Sequence, residues 1–381
     1  MYNNFVSFVQ GLYGTKDLIP LHSPQFQGNE KKYLLETIDS TFVSSVGEFV
    51  DSFERSIAEY TGAKYAIATV NGTAALHMAL KLVGVMSNTE VITQSLTFVA
   101  TCNAIYYCGA TPVFIDVEKS TLGLSAKSLE EFLHEHAEVR EDGCCWNKTS
   151  NRKIIACLPM HTFGIPVDFD AIKRVCDKFQ IIIVEDAAES LGSLYKQKHT
   201  GIIGKTAAIS FNGNKIITTG GGGMILTNDS ELAIYAKHIT TTAKISDQLS
   251  FAHDEVGFNY RLPNLNAALG VAQMEMLPEY IKNKRETAHA YQEWGNEQGV
   301  KIVKEPDNTR SNYWLNAILT ENREQRDQLL QATNAMSVVT RPAWKPMHML
   351  EFNNHCQTSK LTNTEFLYDR LVNIPSSVRA L

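Results

Sequence analysis

The chain has 381 residues, 44% of them apolar and 20% charged, which is the composition of a folded protein with a sizeable core. Its formal net charge of −6 argues against a nucleic acid or an anionic membrane as a partner, and no apolar run is long enough to span a membrane. Seven scattered cysteines without a CxxC pair, and an N-terminus without the pattern of a secretory signal, predict a cytoplasmic protein with reduced thiols and no metal site.

Short β-branched runs alternate with amphipathic helical stretches from about Lys64 to Leu226. The strand-like runs are YAIATV, EVITQ, PVFIDV, KIIACLPM, IIIVED and AAISF, and the helical pattern appears in TAALHMALKLV, TFVATCNAIYY and DFDAIKRVCDKF. Runs that are apolar without alternation, separated by helices, predict an α/β fold with a mostly parallel sheet covered on both faces. In such sheets, ligands bind at the carboxyl ends of the strands.

The rest of the chain predicts a linking helix and a second domain. Residues 138–152 are polar and turn-rich, so we expect a surface excursion there. A helical stretch over 262–295 is expected to link a large α/β domain, residues 1–261 with its N-terminal helices, to a small C-terminal domain. That small domain, residues 296–381, mixes short strands with one or two helices.

The segment HTGIIGKT, residues 199–206, ends like a phosphate-binding P-loop. Its first glycine is missing at the required spacing, and it leads into an apolar strand rather than a helix. We therefore expect Lys205 to be an ordinary surface lysine.

A better phosphate candidate lies in ATVNGTAALHMAL, where a strand ends at Val70 and a helix follows a short turn. The turn carries Asn71, Gly72 and Thr73. Free amides and the positive dipole at a helix N-terminus suit a phosphate, and glycine lets the backbone approach it. Plain helix capping by Asn71 and Thr73 is the alternative.

The strand IIIVED ends in two acids, Glu185 and Asp186, at the place where catalytic groups of parallel sheets tend to lie. The alternative is an acid at a helix start whose charge is solvated. A GxGxxG turn is absent from the first strands, so a nicotinamide-binding role for these acids is poorly supported.

The stretch SFNGNKIITTGGGG, residues 210–223, contains Lys215 and no acid that could pair with it. A lysine amine becomes useful when its ammonium is destabilised, because it can then condense with a carbonyl as a Schiff base. The alternative is a loop lysine that reaches solvent.

Together, the phosphate cradle, the acid and the lysine are the parts needed to hold pyridoxal phosphate. The cradle would anchor the phosphate, Asp186 would keep the pyridine nitrogen protonated, and Lys215 would carry the aldehyde. The combination predicts a pyridoxal-phosphate enzyme.

From about Leu18 to Ser377 the chain resembles the DegT/DnrJ/EryC1/StrS sugar aminotransferases of the fold-type I pyridoxal-phosphate class. The motifs that carry the resemblance are NGTAAL, TFVAT, GATPVFIDV, HTFGIPVDFDAI, EDAAESLGS, SFNGNKIITTGGGG, GFNYRLPNLNAALG and RPAWKPMH. The resemblance implies a sheet sandwiched by helices with a smaller C-terminal α+β domain. The stretch NEKKYLLETIDSTFVSSVGEFVDSFE is similar to members that act in legionaminic-type nonulosonic acid pathways.

The resemblance also implies a set of cofactor contacts. It assigns Lys215 to covalent attachment and Asp186 to the pyridine nitrogen. The remaining assigned contacts are Phe98, which would stack on the ring, and the phosphate ligands Gly72, Thr73 and Ser210. For Phe98, packing in the core is the alternative.

Further positions are implied to serve the partner subunit or the substrate. Asn259 matches a residue that reaches the phosphate from the neighbouring subunit, which implies a homodimer with shared active sites. Arg261 would hold an anionic group of the donor or of the sugar nucleotide. Trp344, Lys345 and His348 belong to a substrate-side motif, in which we expect His348 to bind substrate. A turn asparagine and an exposed loop are the alternatives.

Three positions depart from the family pattern. Gly221 stands where many members have glutamate, and Gln94 replaces a common proline. Glu189 occupies a cofactor-binding place near the ring oxygen that is often held by histidine or glutamine. Beside an anionic oxygen, we expect its carboxyl group to be protonated or separated by water.

The resemblance implies an aminotransferase that moves an amino group from L-glutamate to C4 of a UDP-linked 4-keto-6-deoxy (N-acetyl)hexose. A 3-keto sugar is an alternative substrate. A pyridoxamine-dependent sugar dehydratase on the same scaffold would have histidine in place of Lys215, which argues against it. A cofactor-binding regulator without turnover is disfavoured by the intact pair of Lys215 and Asp186.

Overall fold

The computed structural model describes residues 2–245 and 252–380. Its helices, in chain order, are α1 (Tyr2–Tyr13), α2 (Glu30–Asp39), α3 (Glu48–Thr61), α4 (Gly72–Leu82), α5 (Val99–Tyr107), α6 (Ala126–His136), α7 (Phe169–Lys178), α8 (Ser230–Thr240), α9 (Asn264–Gln298), α10 (Arg323–Ala335) and α11 (Thr362–Tyr368). Among the described helices, we find none with the length and apolarity needed to cross a membrane.

The strands form three sheets within the described part of the chain. In chain order they are β1 (Tyr65–Thr69), β2 (Thr89–Gln94), β3 (Thr111–Ile115), β4 (Ala137–Val139), β5 (Cys145–Asn147), β6 (Arg152–Leu158), β7 (Ile182–Asp186), β8 (Leu194–Tyr195), β9 (Lys198–His199), β10 (Thr206–Ser210), β11 (Gly223–Thr227), β12 (Lys301–Ile302), β13 (Thr309–Arg310), β14 (Asn316–Leu319), β15 (Arg341–Pro342) and β16 (Leu371–Ile374).

The large sheet has the order β1-β11-β10-β7-β6-β2-β3. The pairs from β10 through β7, β6 and β2 to β3 are parallel, which confirms the mostly parallel sheet predicted from the apolar runs. The sequence pattern missed β11, which lies antiparallel between β1 and β10. The connection from β10 to β11, residues 211–222, carries Lys215 along the carboxyl ends of the strands.

Helices cover both faces of this sheet, because neighbouring residues of each buried strand point to opposite sides. Val91 of β2 packs with residues of α4, α5 and α8, whereas the next residue, Ile92, packs with residues of α6 and α7. The helices α3 and α9 cover the second face at the β1 end, around Phe53 and Leu277. These helices therefore sandwich the large sheet and leave its strand ends open for ligands.

The excursion expected over 138–152 is more ordered than the sequence suggested. β4 and β5 pair as an antiparallel hairpin, and β5 adds to the sheet beside β6 through the pair Trp146 and Lys153. The polar composition hid this hairpin because only Ala137 and Cys145 of its residues join the apolar core.

The C-terminal part contains an antiparallel sheet in the order β12-β14-β16-β15, and α9 runs unbroken for 35 residues through the predicted linking segment. Assigning every N-terminal helix to the large domain is wrong for α1. Phe5 and Val9 of α1 pack with Tyr291 of α9 and with Ile318 and Val372 of the small sheet. The apolar face of α1 predicted that the helix would be buried but not against which surface, because burial against any apolar surface is favourable.

Candidate cofactor site

A cavity of about 330 Å³ lies at the carboxyl ends of the large sheet. The residues predicted from the sequence that line it are Gly72, Thr73, Phe98, Asp186, Glu189, Ser210 and Lys215. Wider surface grooves exist elsewhere, such as one of about 570 Å³ beside α7 at the amino end of β7, but none of the predicted residues lines that groove. The structure thus brings together residues that are up to 143 positions apart, from Gly72 to Lys215.

The start of α4 forms one wall of the cavity. The side chain of Asn71 caps the helix by accepting a hydrogen bond from the Ala74 amide at 2.8 Å. A Cβ atom on Gly72 would lie 2.7 Å from Cβ of Ser210, so only glycine allows this close approach. Capping by Asn71 and a phosphate cradle are therefore compatible, because the cap leaves the amides of Gly72 and Thr73 available to a ligand.

Asp186 ends β7 and is buried beneath the cavity. Its Oδ2 accepts a hydrogen bond from the Thr101 hydroxyl at 2.7 Å, and its Oδ1 accepts one from the Ala188 amide at 3.2 Å. Burial raises the pKa of this carboxyl group, although both hydrogen bonds act in the opposite direction. A cationic N–H placed in the cavity would relieve the cost of its buried charge. No sequence pattern indicated the contact with Thr101, which depends on how α5 packs.

Glu185, the other acid of the pair, points to the opposite side of the strand, as the alternation of side chains requires. It accepts hydrogen bonds from the amides of Gly201, Ile203 and Gly204 at 2.6–2.8 Å and from His161 at 3.1 Å. The loop that resembles a P-loop thus surrounds an internal carboxylate. Lys205 is half-exposed and pairs with Asp229 at 2.7 Å, as expected of a surface lysine.

Lys215 has an acid partner after all. Its Nζ lies 3.1 Å from Oε1 of Glu189, whose side chain is only 1% exposed, and 4.0 Å from the centroid of the Trp314 ring. The local stretch contains no acid, so the sequence could not show that the fold would supply one from residue 189. Burial raises the pKa of Glu189 to about 7, while Lys215 acts to lower it.

Aromatic rings border the mouth of the cavity. Phe98 is 47% exposed, and its ring centroid lies 6.2 Å from that of Trp344. The alternative of core packing for Phe98 is therefore wrong, because the ring remains open to a ligand. Asn71 and Trp344 also line the cavity, as do residues to which the sequence assigned no role, namely Leu76, Ala100, Thr101, Met160, Ala188, Asn212, Asn214 and Trp314.

Three predicted residues do not line the cavity of their own chain. Asn259 is exposed, and Nε of Arg261 is buried without a hydrogen-bond partner among the described residues. His348 instead makes a 2.7 Å contact through Nδ1 with the hydroxyl of Ser95. Their roles stay predictions.

Gln94 and Gly221, the two other departures from the family pattern, differ in what their surroundings require. Gln94 is buried, and its Oε1 accepts hydrogen bonds from the amides of Leu124 and Met160, so it ties two loops to the end of β2. A Cβ atom on Gly221 would meet nothing closer than the carbonyl oxygen of Val70 at 3.9 Å. Space alone therefore does not require glycine at position 221.

Pyridoxal phosphate fits this set of residues. Helix amides and the hydroxyl of Ser210 can receive a phosphate, and a buried carboxylate at Asp186 can receive a protonated ring nitrogen. Phe98 offers an open ring face, and Lys215 reaches the same cavity.

Comparisons with known proteins identify the family of the chain. The model of the DegT/DnrJ/EryC1/StrS aminotransferase family matches residues 24–380. GDP-perosamine synthase of Escherichia coli O157:H7 is 36% identical over 358 residues, covering 94% of this chain and 93% of that protein. GDP-perosamine synthase of Caulobacter vibrioides is 35% identical over 362 residues, with the same coverage.

A solved structure of the same family has a similar fold. A DegT/DnrJ/EryC1/StrS aminotransferase from Brucella abortus superposes with a TM-score of 0.81 at 26% identity, covering 91% of this chain and 90% of that one. The comparisons confirm the family resemblance, the fold class, the enzyme class and the dependence on pyridoxal phosphate that the sequence predicted.

Proposed function

The chain belongs to the DegT/DnrJ/EryC1/StrS aminotransferase family and is a pyridoxal-phosphate-dependent sugar-nucleotide aminotransferase. On this premise we propose that it moves an amino group from L-glutamate to C4 of a GDP-linked 4-keto-6-deoxy sugar. The names of the two relatives at 35–36% identity carry GDP, which supports that nucleotide over the UDP expected from the sequence. The legionaminic-type pathway stays a prediction.

The observation that carries the proposal is the convergence of Lys215, Asp186 and the start of α4 on one cavity. When bound, pyridoxal phosphate supplies an electron sink that stabilises negative charge at the substrate carbon. Gly72, Thr73 and Ser210 would hold its phosphate, and Asp186 would keep a proton on its ring nitrogen.

Lys215 would carry the aldehyde carbon of the cofactor and would move the proton at the substrate carbon. Its amine can do this because the side chain is 12% exposed and reaches the cavity from the β10–β11 connection. Phe98, Trp314 and Trp344 place apolar surface around the reacting centre, where they would exclude water.

A panel of GDP-, UDP- and dTDP-linked 4-keto sugars, and of 3-keto sugars, offered with L-glutamate tests the proposal. We expect an amino sugar and 2-oxoglutarate in equal amounts, with the GDP-linked 4-keto sugar preferred. A preference for UDP or for a 3-keto sugar would correct the substrate. Absence of glutamate-dependent conversion of the cofactor would contradict the proposal as a whole, whereas conversion without any sugar product would contradict only the proposed sugar acceptor.

We also infer a homodimer in which Asn259 and Arg261 serve the neighbouring active site. Support comes from their position outside the cavity of their own chain and from the unpartnered Nε of Arg261. Exposed apolar residues between positions 35 and 46, with Phe42 60% and Val46 65% exposed, offer a surface for the second copy.

Mixing two inactive variants tests the shared site. In a dimer of Lys215→Ala with the double variant Asn259→Ala and Arg261→Ala, one site collects both lesions and the other collects neither. With random exchange of equal amounts, roughly a quarter of the wild-type activity should return. Heterodimers without recovered activity would show that both residues serve their own chain.

A further inference from the structure

Glu189 and Lys215 form a close pair inside the cavity. The 3.1 Å separation of Lys215 Nζ from Glu189 Oε1 is a hydrogen-bond distance. The ring of Trp314 lies on another side of the ammonium group at 4.0 Å, and its Nε1 donates to the carbonyl oxygen of Asn214 at 2.7 Å. A free Lys215 side chain is thus held between a carboxyl group and an aromatic face.

The two oxygens of Glu189 have different partners. Oε2 accepts a hydrogen bond from the Phe163 amide at 2.9 Å, so that oxygen is occupied as an acceptor. Oε1 faces Lys215. A proton added to this carboxyl group would therefore reside on the oxygen that faces the lysine.

The backbone is strained where it makes this arrangement. Phe163 has φ 56° and ψ 18°, in the left-handed region that non-glycine residues rarely adopt. Such strain persists only where the surroundings enforce it, and it often occurs at active sites. Here the conformation points the Phe163 amide at Glu189.

The charges around Glu189 leave its protonation state adjustable. Burial raises the pKa of its carboxyl group to about 7, the negative charge of Asp186 acts in the same direction, and Lys215 and the Phe163 amide act to lower it. Neither the ionised nor the neutral form is therefore strongly favoured near neutral pH.

We propose that Glu189 is the proton acceptor for Lys215. The proton passes from Nζ to Oε1, so that an N–H bond breaks and an O–H bond forms. An ammonium and a carboxylate thereby become a neutral amine and a neutral carboxylic acid, and the reverse transfer restores the ion pair. The neutral amine can then take a proton from the substrate carbon. This inference rests on the proposed role of Lys215.

Infrared titration of the enzyme with pyridoxamine phosphate bound, when Lys215 is free, tests the proposal without turnover. The difference between wild type and Glu189→Gln should show the carbonyl band of a protonated acid that titrates near neutral pH. Lys215→Met should move that titration to higher pH, because a positive charge is lost. Lys205→Met, a change at a surface lysine, should leave it in place.

Single-turnover conversion with L-glutamate gives the second measurement. The amide of Glu189→Gln can still accept from the Phe163 amide but cannot take a proton, so the rate should fall about 10²-fold and lose its inflection near neutral pH. Glu189→Asp, which keeps the acid, should recover part of the rate and the inflection.

Two results would overturn the proposal while leaving the aminotransferase function intact. One is an infrared spectrum in which Glu189 stays ionised throughout the neutral range. The other is a Glu189→Gln enzyme with the wild-type rate and pH profile. If Lys215→Ala itself retained turnover, the proposed function would fail instead.

Discussion

Two lysines contact Trp314 and have opposite environments. Lys215 is 12% exposed, faces the cavity and pairs with Glu189. Lys284, in the middle of α9, is 1% exposed, and its Nζ donates to the carbonyl oxygens of Trp314, at 3.1 Å, and Ser376. No carboxylate of the described residues forms an ion pair with Lys284. Burial lowers its pKa to about 7.

The contrast between Lys215 and Lys284 shows that burial alone does not make a lysine reactive. Both side chains lie mostly out of water, and for Lys284 burial disfavours the charged form. Lys215 has a proton acceptor and an open path to a ligand, whereas Lys284 has only backbone acceptors and no access to the cavity. We therefore assign chemistry to Lys215 and a structural role to Lys284, which ties α9 to the segments around Trp314 and Ser376.

The largest effect should come from Lys215→Ala. Transamination should fall by about 10⁴-fold or more, because both the cofactor attachment and the proton-moving amine are lost. The free energy of unfolding should change by less than about 1 kcal/mol, since the neutral form of Glu189 is accessible. Activity assays and urea denaturation measure the two quantities.

Lys205→Ala is the matched control for that variant, because it removes a lysine that flanks β10 at its other end and whose ammonium pairs at the surface with Asp229. It should keep wild-type turnover. Comparable losses in both variants would mean that Lys215 has no special role.

Lys284→Met should have the opposite phenotype, with lowered stability and retained chemistry. Methionine fills a similar volume but leaves the carbonyl oxygens of Trp314 and Ser376 without their donor. We expect a loss of about 2 kcal/mol at pH values above 10.5, where Lys284 is neutral in both the folded and the unfolded chain. Urea midpoints at several pH values measure it.

The stability difference between wild type and Lys284→Met should depend on pH, because the pKa of Lys284 is lowered in the folded chain. Between about 7 and 10.5 the unfolded chain binds a proton at Lys284 that the folded chain lacks. Wild-type stability should therefore gain up to about 1.4 kcal/mol per pH unit from this group as the pH rises above 7, and Lys284→Met should lack that gain. A gap between the two proteins that stays constant with pH would contradict the assignment.

Trp314→Leu should reduce activity without abolishing it. Loss of the ring face beside the Lys215 ammonium removes an interaction of about 1 kcal/mol, so we expect kcat to fall about 10-fold or less. KM for L-glutamate should change little, because the contact positions Lys215. An unchanged kcat would show that Glu189 alone suffices to position the lysine.

Local pattern predicted the sheet and, near its strand ends, Gly72, Asp186 and Lys215, whereas Phe98, Ser210 and Glu189 were implied by the family resemblance. An apolar run, or the glycine at the start of α4, can be recognised from a few neighbouring residues. The pairing of Lys215 with Glu189 depends on the packing of β7 against β10, which no local pattern encodes. The packing of α1 against the small sheet was missed for the same reason.

At neutral pH the smallest effect should come from a substitution at His22, whose pKa is lowered by both lysines. Its two ring nitrogens lack hydrogen-bond partners among the described residues, and its ring lies 6.5 Å from that of Trp314. Burial, then Lys284, then Lys215 lower its pKa well below the usual value. Folded His22 is therefore neutral, whereas the unfolded chain binds a proton there below about pH 6.5. Wild type should lose stability at this position as the pH falls.

His22→Phe should remove that loss and, at neutral pH, should change stability by less than about 1 kcal/mol, because an unpartnered polar ring is replaced by an apolar one. Below about pH 6.5 the variant should gain on wild type by up to about 1.4 kcal/mol per pH unit. His77 and His199, whose pKa values are lowered to about 4, remain in both proteins and should give both the same background slope. Urea midpoints above and below pH 6.5 measure the gain. If the stability of the two proteins changed with pH in parallel, His22 would have a partner that allows it to be protonated in the folded chain. The surroundings of His22 near Trp314 would then be more polar than its contacts indicate.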